Sequence, residues 1–268
     1  NPVFVDIDPN TFLMDISKLE KSVTNKTKGI VVVHLFGQCV DMDPVIELCN
    51  KYNLFLIEDC SQSHGAKYKG KIAGSMSDAS VFSFYPTKIL GGYGDGGMVV
   101  TNNEKTYENI KKLRFYGMEK TYYSVLDEGY NSRLDELHAS ILLNKLNHLD
   151  SYIKKRRKIA KIYNQELKDS NLILPVEQEY NYHSYYVYVV RHKKRDKILK
   201  LLKEKNIFLN ISYPWPIHTM KGFIKFGYKN GDLPNTEAAA NEIFSLPMYP
   251  SLDEKKQRYF IKELKKII

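Results

Sequence analysis

The stretch Phe82-Ser83-Phe84-Tyr85-Pro86-Thr87-Lys88-Ile89-Leu90-Gly91-Gly92 puts a lysine just after an apolar run, in a turn, beside two glycines. A lysine amine partly withdrawn from water has its neutral form within reach, as Schiff-base chemistry with a carbonyl requires. Glycines let a flat group approach the backbone. The hydroxyl of Ser83 could hydrogen-bond a phosphate. A solvated lysine in a turn is the plain alternative, and on this segment alone it is the commoner case.

A second stretch, Glu58-Asp59-Cys60-Ser61-Gln62-Ser63-His64-Gly65-Ala66, begins where an apolar run ends. In open α/β sheets, ligands bind at the carboxyl ends of strands. A carboxylate buried there needs a cationic partner. A protonated pyridine nitrogen is such a partner, and holding it protonated makes the ring an electron sink. The alternatives are a helix cap for Asp59, or a nearby lysine as its partner, and a hydrogen-bonded core histidine for His64, the reading preferred for that residue. Asp59, Cys60 and His64 have no companion donors at ligand spacing, so no metal is expected.

These segments sit within a pattern that predicts their supports. Val3 to Asp6 alternates like a strand, and Asp15 is a plausible N-cap for a short helix through Ile16, Leu19 and Val23. Gly29 to Leu35 and Leu54 to Ile57 read as buried strands around a helix from Pro44 to Tyr52. Strand, helix, strand with continuous apolar strands is the mark of a parallel sheet covered on both faces. Ala79 to Phe84 and Met98 to Thr101 read as further strands. Helical patterns follow at Asn109 to Phe115, Leu134 to Leu149 and about Tyr152 to Leu167. Composition shifts between Asn171 and Tyr182, which divides the chain into a large domain, 1–170, and a small α+β domain, 171–268. In the latter, Tyr185 to Val190 reads as a strand, and Lys194 to Lys205, Asn235 to Ile243 and Asp253 to Ile268 as helices.

The bulk properties narrow the classes. The chain has 268 residues, of which 43% are hydrophobic and 26% charged, proportions that fit a globular core. No apolar run approaches the ~20 residues that span a bilayer, so no membrane partner is expected. The net charge of +9 raises nucleic acid as a partner. The lysines are spread along the chain, however, and the densest cluster, Lys154 to Lys158, falls where a helix would present it to water. A basic surface also suits an anionic small substrate. Three cysteines, Cys39, Cys49 and Cys60, give no disulfide framework and point to a reducing, cytoplasmic compartment. The chain opens Asn1-Pro2-Val3 without a methionine and reads as the middle of a longer protein.

Several ordered stretches together resemble the DegT/DnrJ/EryC/StrS family of sugar aminotransferases. They are Pro2 to Asp8, His34-Leu35-Phe36-Gly37-Gln38, Glu58 to Ala66, Phe82 to Lys88, Gly94-Asp95-Gly96-Gly97 and Gly129-Tyr130-Asn131-Ser132-Arg133, with Pro216-Ile217-His218 a weaker match. The resemblance implies an α/β fold of the type I pyridoxal-phosphate (PLP) class, a mostly parallel sheet flanked by helices plus a small C-terminal domain. It implies that Lys88 forms the Schiff base and later shuttles the proton. It also implies that Asp59 pairs with the pyridine nitrogen, Gln62 approaches the phenolic oxygen and Ser83 binds the phosphate. Asn131 would reach the phosphate of the partner subunit's cofactor across a homodimer with shared active sites. His218 would lie near the way in for the sugar nucleotide.

The family pattern is not matched throughout. Cys60 stands where alanine is usual, and Gly91-Gly92 where Gly-Ala is frequent; both are small changes. The larger departure is that the family's opening helices and their phosphate-binding loop are absent before Val3. Either the sequence is a fragment of a longer chain or the protein is truncated, and a truncated chain would expose the sheet face those elements cover. Arg114 to Tyr123 and Asp127 to Glu136 are similar to members that aminate carbon 3 of TDP-linked keto-6-deoxyhexoses. The implied reaction is transfer of an amino group from glutamate to a nucleotide-linked keto sugar, in amino-sugar biosynthesis for surface glycans. The alternatives are a carbon-4 aminating relative or a non-catalytic member of the fold. A cofactor-dependent sugar dehydratase, which typically carries histidine in place of the lysine, is disfavoured by Lys88.

Overall fold

The computed structural model describes residues 1–268. The helices are α1 (Ile16–Leu19), α2 (Met42–Tyr52), α3 (Glu104–Leu113), α4 (Glu136–Leu146), α5 (Leu149–Leu167), α6 (Arg195–Glu204), α7 (Pro234–Glu242) and α8 (Glu254–Lys265). The strands are β1 (Gly29–Val33), β2 (Phe55–Asp59), β3 (Lys67–Tyr68), β4 (Lys71–Ile72), β5 (Ala79–Ser83), β6 (Gly97–Val100), β7 (Met118–Lys120), β8 (Tyr123–Ser124), β9 (Asn181–Tyr182), β10 (Tyr188–Arg191) and β11 (Ile243–Leu246).

The main sheet has the order β1-β2-β5-β6. The first three strands are parallel and β6 returns antiparallel to β5. The register sets Val33 beside Asp59 and Asp59 beside Val81, so the C-terminal ends of β1, β2 and β5 lie level. Helix α2 is the crossover between β1 and β2. Val45, Leu48 and Cys49 of α2 join Ile30, Val32 and Leu56 of the sheet in one core. The opposite face of β1 carries Val31 and Val33, which are exposed. The continuous apolar runs predicted cover on both faces; within this chain, α2 buries one and no helix packs on the other side of β1.

A second core joins the C-terminal half of α5 (Ile159, Ala160, Tyr163, Leu167) to β10, β11, α6 and α8. Strands β10 and β11 form an antiparallel pair. The N-terminal half of α5 faces the first layer, where Ile153 packs so closely on Gly65 that a Cβ there would lie 2.3 Å from it. The expected division at 170/171 therefore follows a helix that takes part in the packing on both sides.

The strand expected at Val3 to Asp6 does not form. Its one β-type contact is at its end, where the Asp15 amide donates to the Asp6 carbonyl beside an Ile7–Met14 bridge, and other polar groups are met by the far end of the chain. The Phe4 amide donates to the Tyr228 hydroxyl at 2.8 Å. Asp6, 2% exposed, accepts from the Asn235 and Thr236 amides and the Thr236 hydroxyl at the start of α7. The remaining expected helices and strands form with shifted ends. Helix α3 begins five residues before its expected start because Asn103 caps it, accepting from the Thr106 amide.

Candidate active site

Lys88 stands five residues beyond Ser83, the last residue of β5, in a turn closed by a bond from its amide to the Tyr85 carbonyl. The Gly92 amide donates to the Phe84 carbonyl at 2.7 Å, folding the loop back on the strand end. Gly91 is required there: a Cβ would lie 2.4 Å from the Pro86 carbonyl oxygen, a backbone atom. Gly92 has ordinary room, with its nearest neighbour at 3.5 Å, so an alanine would fit there. Lys145 of α4 donates to the Gly91 carbonyl and steadies the loop from behind.

The Lys88 amine is half-buried, and Nζ makes neither a hydrogen bond nor an ion pair. It lies over the ring of Tyr186, with Nζ 4.8 Å from the centroid. Burial lowers the Lys88 pKa below the ordinary lysine value, and the charge of Asp59 partly opposes this. A neutral, nucleophilic amine is thereby easier to reach than on a surface lysine.

The two carboxylates at the end of β2 have separate fates. Glu58 is completely buried and saturated, accepting from the Gly74 amide (2.8 Å), the Met76 amide (2.8 Å), the Ser77 hydroxyl (2.9 Å) and His34 Nε2 (2.9 Å). Burial pushes its pKa up, but the bonds from His34, Gly74 and Met76 outweigh that and hold it below the ordinary range. The Val40 amide donates to His34 Nδ1, so the ring proton sits on Nε2, facing Glu58. Asp59 is only partly buried. Its Oδ1 accepts from the Ser61 amide at 2.9 Å, and Oδ2 has no protein donor. Of the pair, Glu58 braces the strand end and Asp59 keeps an oxygen for a ligand.

Gln62 is buried and its amide is largely committed. Oε1 accepts from the Phe36 amide (2.9 Å), and Nε2 donates to the Tyr213 hydroxyl (2.6 Å), leaving one N–H. Tyr213 is more than half exposed, and its backbone is left-handed at φ 60°, a conformation that a tyrosine adopts only under constraint. Ser83 Oγ accepts from the Tyr85 amide at 3.2 Å and retains its proton for donation. Lys88, Asp59, Gln62 and Ser83 thus gather at the C-terminal ends of β2 and β5.

No hydrogen bond joins Asn131 or His218 to that group. Asn131 is exposed, bridges Phe115 through the backbone and accepts from Arg133 Nε at 3.2 Å. His218 is fully buried; Nε2 meets Glu237 at 2.9 Å, and Nδ1 has no partner. His64 departs from the hydrogen-bonded core histidine expected of it. It is buried between Phe82 and Phe84, and neither ring nitrogen has a partner. Burial, and then the charge of Lys88, press its pKa down to about 4, so it is neutral at ordinary pH.

The sequence reading missed Tyr186 and Tyr213. Both come from beyond residue 170, yet they meet Lys88 and Gln62. The only sequence signal was position: Tyr186 opens the apolar run before β10, and Tyr213 sits five residues before His218.

The free groups fit a phosphorylated pyridine aldehyde. Lys88 offers an amine that nothing else engages, Asp59 a carboxylate oxygen suited to a ring N–H, and Ser83 a hydroxyl proton suited to a phosphate oxygen. A separate donor set, His34, Glu58 and Cys60, lies within 4.8 Å. The fold supplies a companion histidine that sequence spacing did not reveal. Both His34 nitrogens and both Glu58 oxygens are already bonded to protein, and burial followed by the charge of Glu58 raises the Cys60 pKa, so the set is occupied as a brace.

Residues 1–265 match the DegT/DnrJ/EryC1/StrS aminotransferase family. A dTDP-3-amino-3,4,6-trideoxy-alpha-D-glucose transaminase of Micromonospora megalomicea subsp. nigra is 53% identical, across 100% of this chain and 73% of that protein. A protein of Geobacillus stearothermophilus named pleiotropic regulatory protein is 44% identical, across 98% of this chain and 71% of its own length. Among solved structures, S. venezuelae DesV in complex with a ketimine intermediate superposes with a TM-score of 0.96 at 34% identity. That match covers 99% of this chain and 72% of DesV.

Proposed function

Because the chain belongs to the DegT/DnrJ/EryC1/StrS family of PLP-dependent sugar aminotransferases, we propose that it transfers an amino group from glutamate to a dTDP-linked keto-6-deoxyhexose, at carbon 3. The observation that carries the assignment of the site is the half-buried Lys88 amine, free of bonds, in the field of a carboxylate, Asp59, with one oxygen to spare. The choice of carbon 3 rests on the name of the Micromonospora relative and on the resemblance of Arg114 to Glu136 to carbon-3 enzymes. Amination at carbon 4 is the competing outcome.

Pyridoxal phosphate, the cofactor, supplies an electron sink for the bond broken at the donor's α-carbon. Lys88 Nζ would hold the cofactor and, as a free amine, would accept and return the proton of the donor's α-carbon. Its lowered pKa suits both tasks, because a base must be neutral to accept that proton. Asp59 Oδ2, which no protein donor engages, would pair with the ring nitrogen and keep it protonated. Ser83 would donate to the phosphate, and Gln62 would offer its remaining N–H to the ring's phenolic oxygen. Asn131, exposed and not hydrogen-bonded to this group, is assigned to the phosphate of the partner subunit's cofactor in a homodimer. His218 is assigned to the substrate side on the resemblance at Pro216-Ile217-His218; its ring is buried and held by Glu237. No helix is long and apolar enough to cross a membrane. The reaction is assigned to the cytoplasm, in keeping with three buried free cysteines.

The Geobacillus relative's name favours a second reading, a regulatory protein on the same scaffold. Mixing the protein with PLP and recording a visible spectrum separates the two. An absorbance band lost in Lys88→Ala supports the enzyme, and no band sinks it. Incubation with glutamate and dTDP-3-keto or dTDP-4-keto sugar then decides the carbon.

A further inference from the structure

We propose that the face of Tyr186 is the docking place of the Lys88 ammonium whenever that amine is not covalently engaged, which makes Tyr186 a positioning residue for the lysine. This deepens the reading of Lys88 as the cofactor-holding residue and rests on it. An amine released in mid-reaction must stay close to its target, since a small misplacement is costly in rate. Yet it must leave its holder readily.

The geometry meets both needs. Nζ lies 4.8 Å from the Tyr186 centroid, within cation–π range, and no carboxylate pairs with it. A direct carboxylate partner would grip the ammonium through charge-assisted hydrogen bonds. The ring offers attraction without a directional bond. Tyr186 is itself fixed at three points. Its hydroxyl bonds Thr87 Oγ1 at 3.1 Å, its amide donates to the Phe36 carbonyl at 3.0 Å, and its carbonyl accepts from Arg156 Nη1 at 2.8 Å.

Arg156 explains why the ring stays put. It is 6% exposed, has no carboxylate partner, and spends Nη1 on the carbonyls of Tyr185, Tyr186 and Met248. A buried guanidinium directed at three carbonyls pins the turn before β10 against α5. The Thr87 contact adds a tie to the residue adjoining Lys88, but the ring's place is already set through its backbone.

The test is competitive acylation of the full chain freed of cofactor, with a limiting amine-acetylating reagent. Lys88 is quantified by peptide mass spectrometry and Lys145 serves as internal control. Only the neutral amine reacts, so a ring that stabilises the ammonium slows labelling. Tyr186→Phe keeps the face and is expected to label at the wild-type rate. Tyr186→Leu is expected to label Lys88 about fivefold faster, the equivalent of ~1 kcal/mol of lost cation–π attraction, with Lys145 unchanged. Pentafluorophenylalanine at 186 keeps the shape and removes the negative face, so it should match Leu even if the Leu variant fails to fold. Equal Lys88 rates for the phenylalanine and its fluorinated form overturn the proposal. Whether Lys88 binds the cofactor is read independently, from the visible spectrum of the loaded protein.

Discussion

Gln62 and Tyr213, 151 residues apart, share a hydrogen bond of 2.6 Å from Nε2 to the hydroxyl. It joins the loop after β2 to the segment leading to His218, so the site is walled by both halves of the chain. Tyr213→Phe leaves a buried amide proton without its partner, at a cost of about 1–3 kcal/mol. The expected result is a lower melting temperature and faster loss of PLP on dialysis. Unchanged cofactor retention would separate this bond from the site.

Replacement of Lys88 should divide function from stability. Lys88→Met is expected to reduce turnover by at least about a thousandfold and to remove the visible band of the loaded protein. Without cofactor the same variant should be more stable than wild type near neutral pH. The folded-state pKa of Lys88 is lowered, so folding is opposed while the amine is charged in both states. That penalty is fully present below the folded pKa and fades as pH rises toward the unfolded value. Denaturant melts at neutral pH and in the lysine titration range should show the advantage shrinking.

The neighbouring carboxylates should give opposite phenotypes. Asp59→Asn forfeits little folding energy, because the side chain accepts a single amide bond. Its effect belongs in catalysis, with a loss of roughly 10²–10⁴-fold in turnover and a changed cofactor spectrum. Glu58→Ala strips four donors of their acceptor and should destabilise by about 3–5 kcal/mol.

Acid sensitivity follows from Glu58 as well. Its pKa is depressed on folding, so its contribution is present above the unfolded value of ~4.3 and is lost as pH falls through the folded value. Wild type should lose stability across that range, and Glu58→Gln should start lower and fall less steeply. Parallel acid titrations followed by circular dichroism check it.

The glycine pair offers a sharper contrast. Gly91→Ala drives a methyl against a backbone carbonyl at 2.4 Å, which should cost about 1–3 kcal/mol or more and loosen the Lys88 loop. Gly92→Ala meets nothing closer than 3.5 Å and should behave as wild type. Melting curves and cofactor affinity of the two variants are the measurements.

Local chemistry made much of this site legible. The strand-to-turn change before Lys88, the run ending at Glu58 and Asp59, and the cap at Asp15 are all written within a few residues of where they act. Gly91 was legible as a close approach, although its clash is with the protein's own backbone. What distance hid was the division of labour. Nothing adjacent to Glu58 announced that His34, Gly74, Met76 and Ser77 would saturate it and leave Asp59 free. Tyr186 and Tyr213 carry no local mark, because a tyrosine near a strand is ordinary packing until a distant lysine or glutamine arrives beside it. Val3 to Asp6 failed for the same reason: alternation is a necessary sign of a strand, and the missing neighbour cannot be read from the segment itself.

Asp6 caps α7 with both carboxylate oxygens while its neighbour Phe4 grips Tyr228. The opening residues are therefore moored to the C-terminal half, although in sequence they adjoin the sheet. The mooring runs on past that point, since the Ile7 carbonyl accepts from Asn235 Nδ2 and the Pro9 carbonyl from Arg191 Nη1, while the Asp6 carbonyl accepts from the Asp15 amide; the opening segment thus staples the two halves to each other.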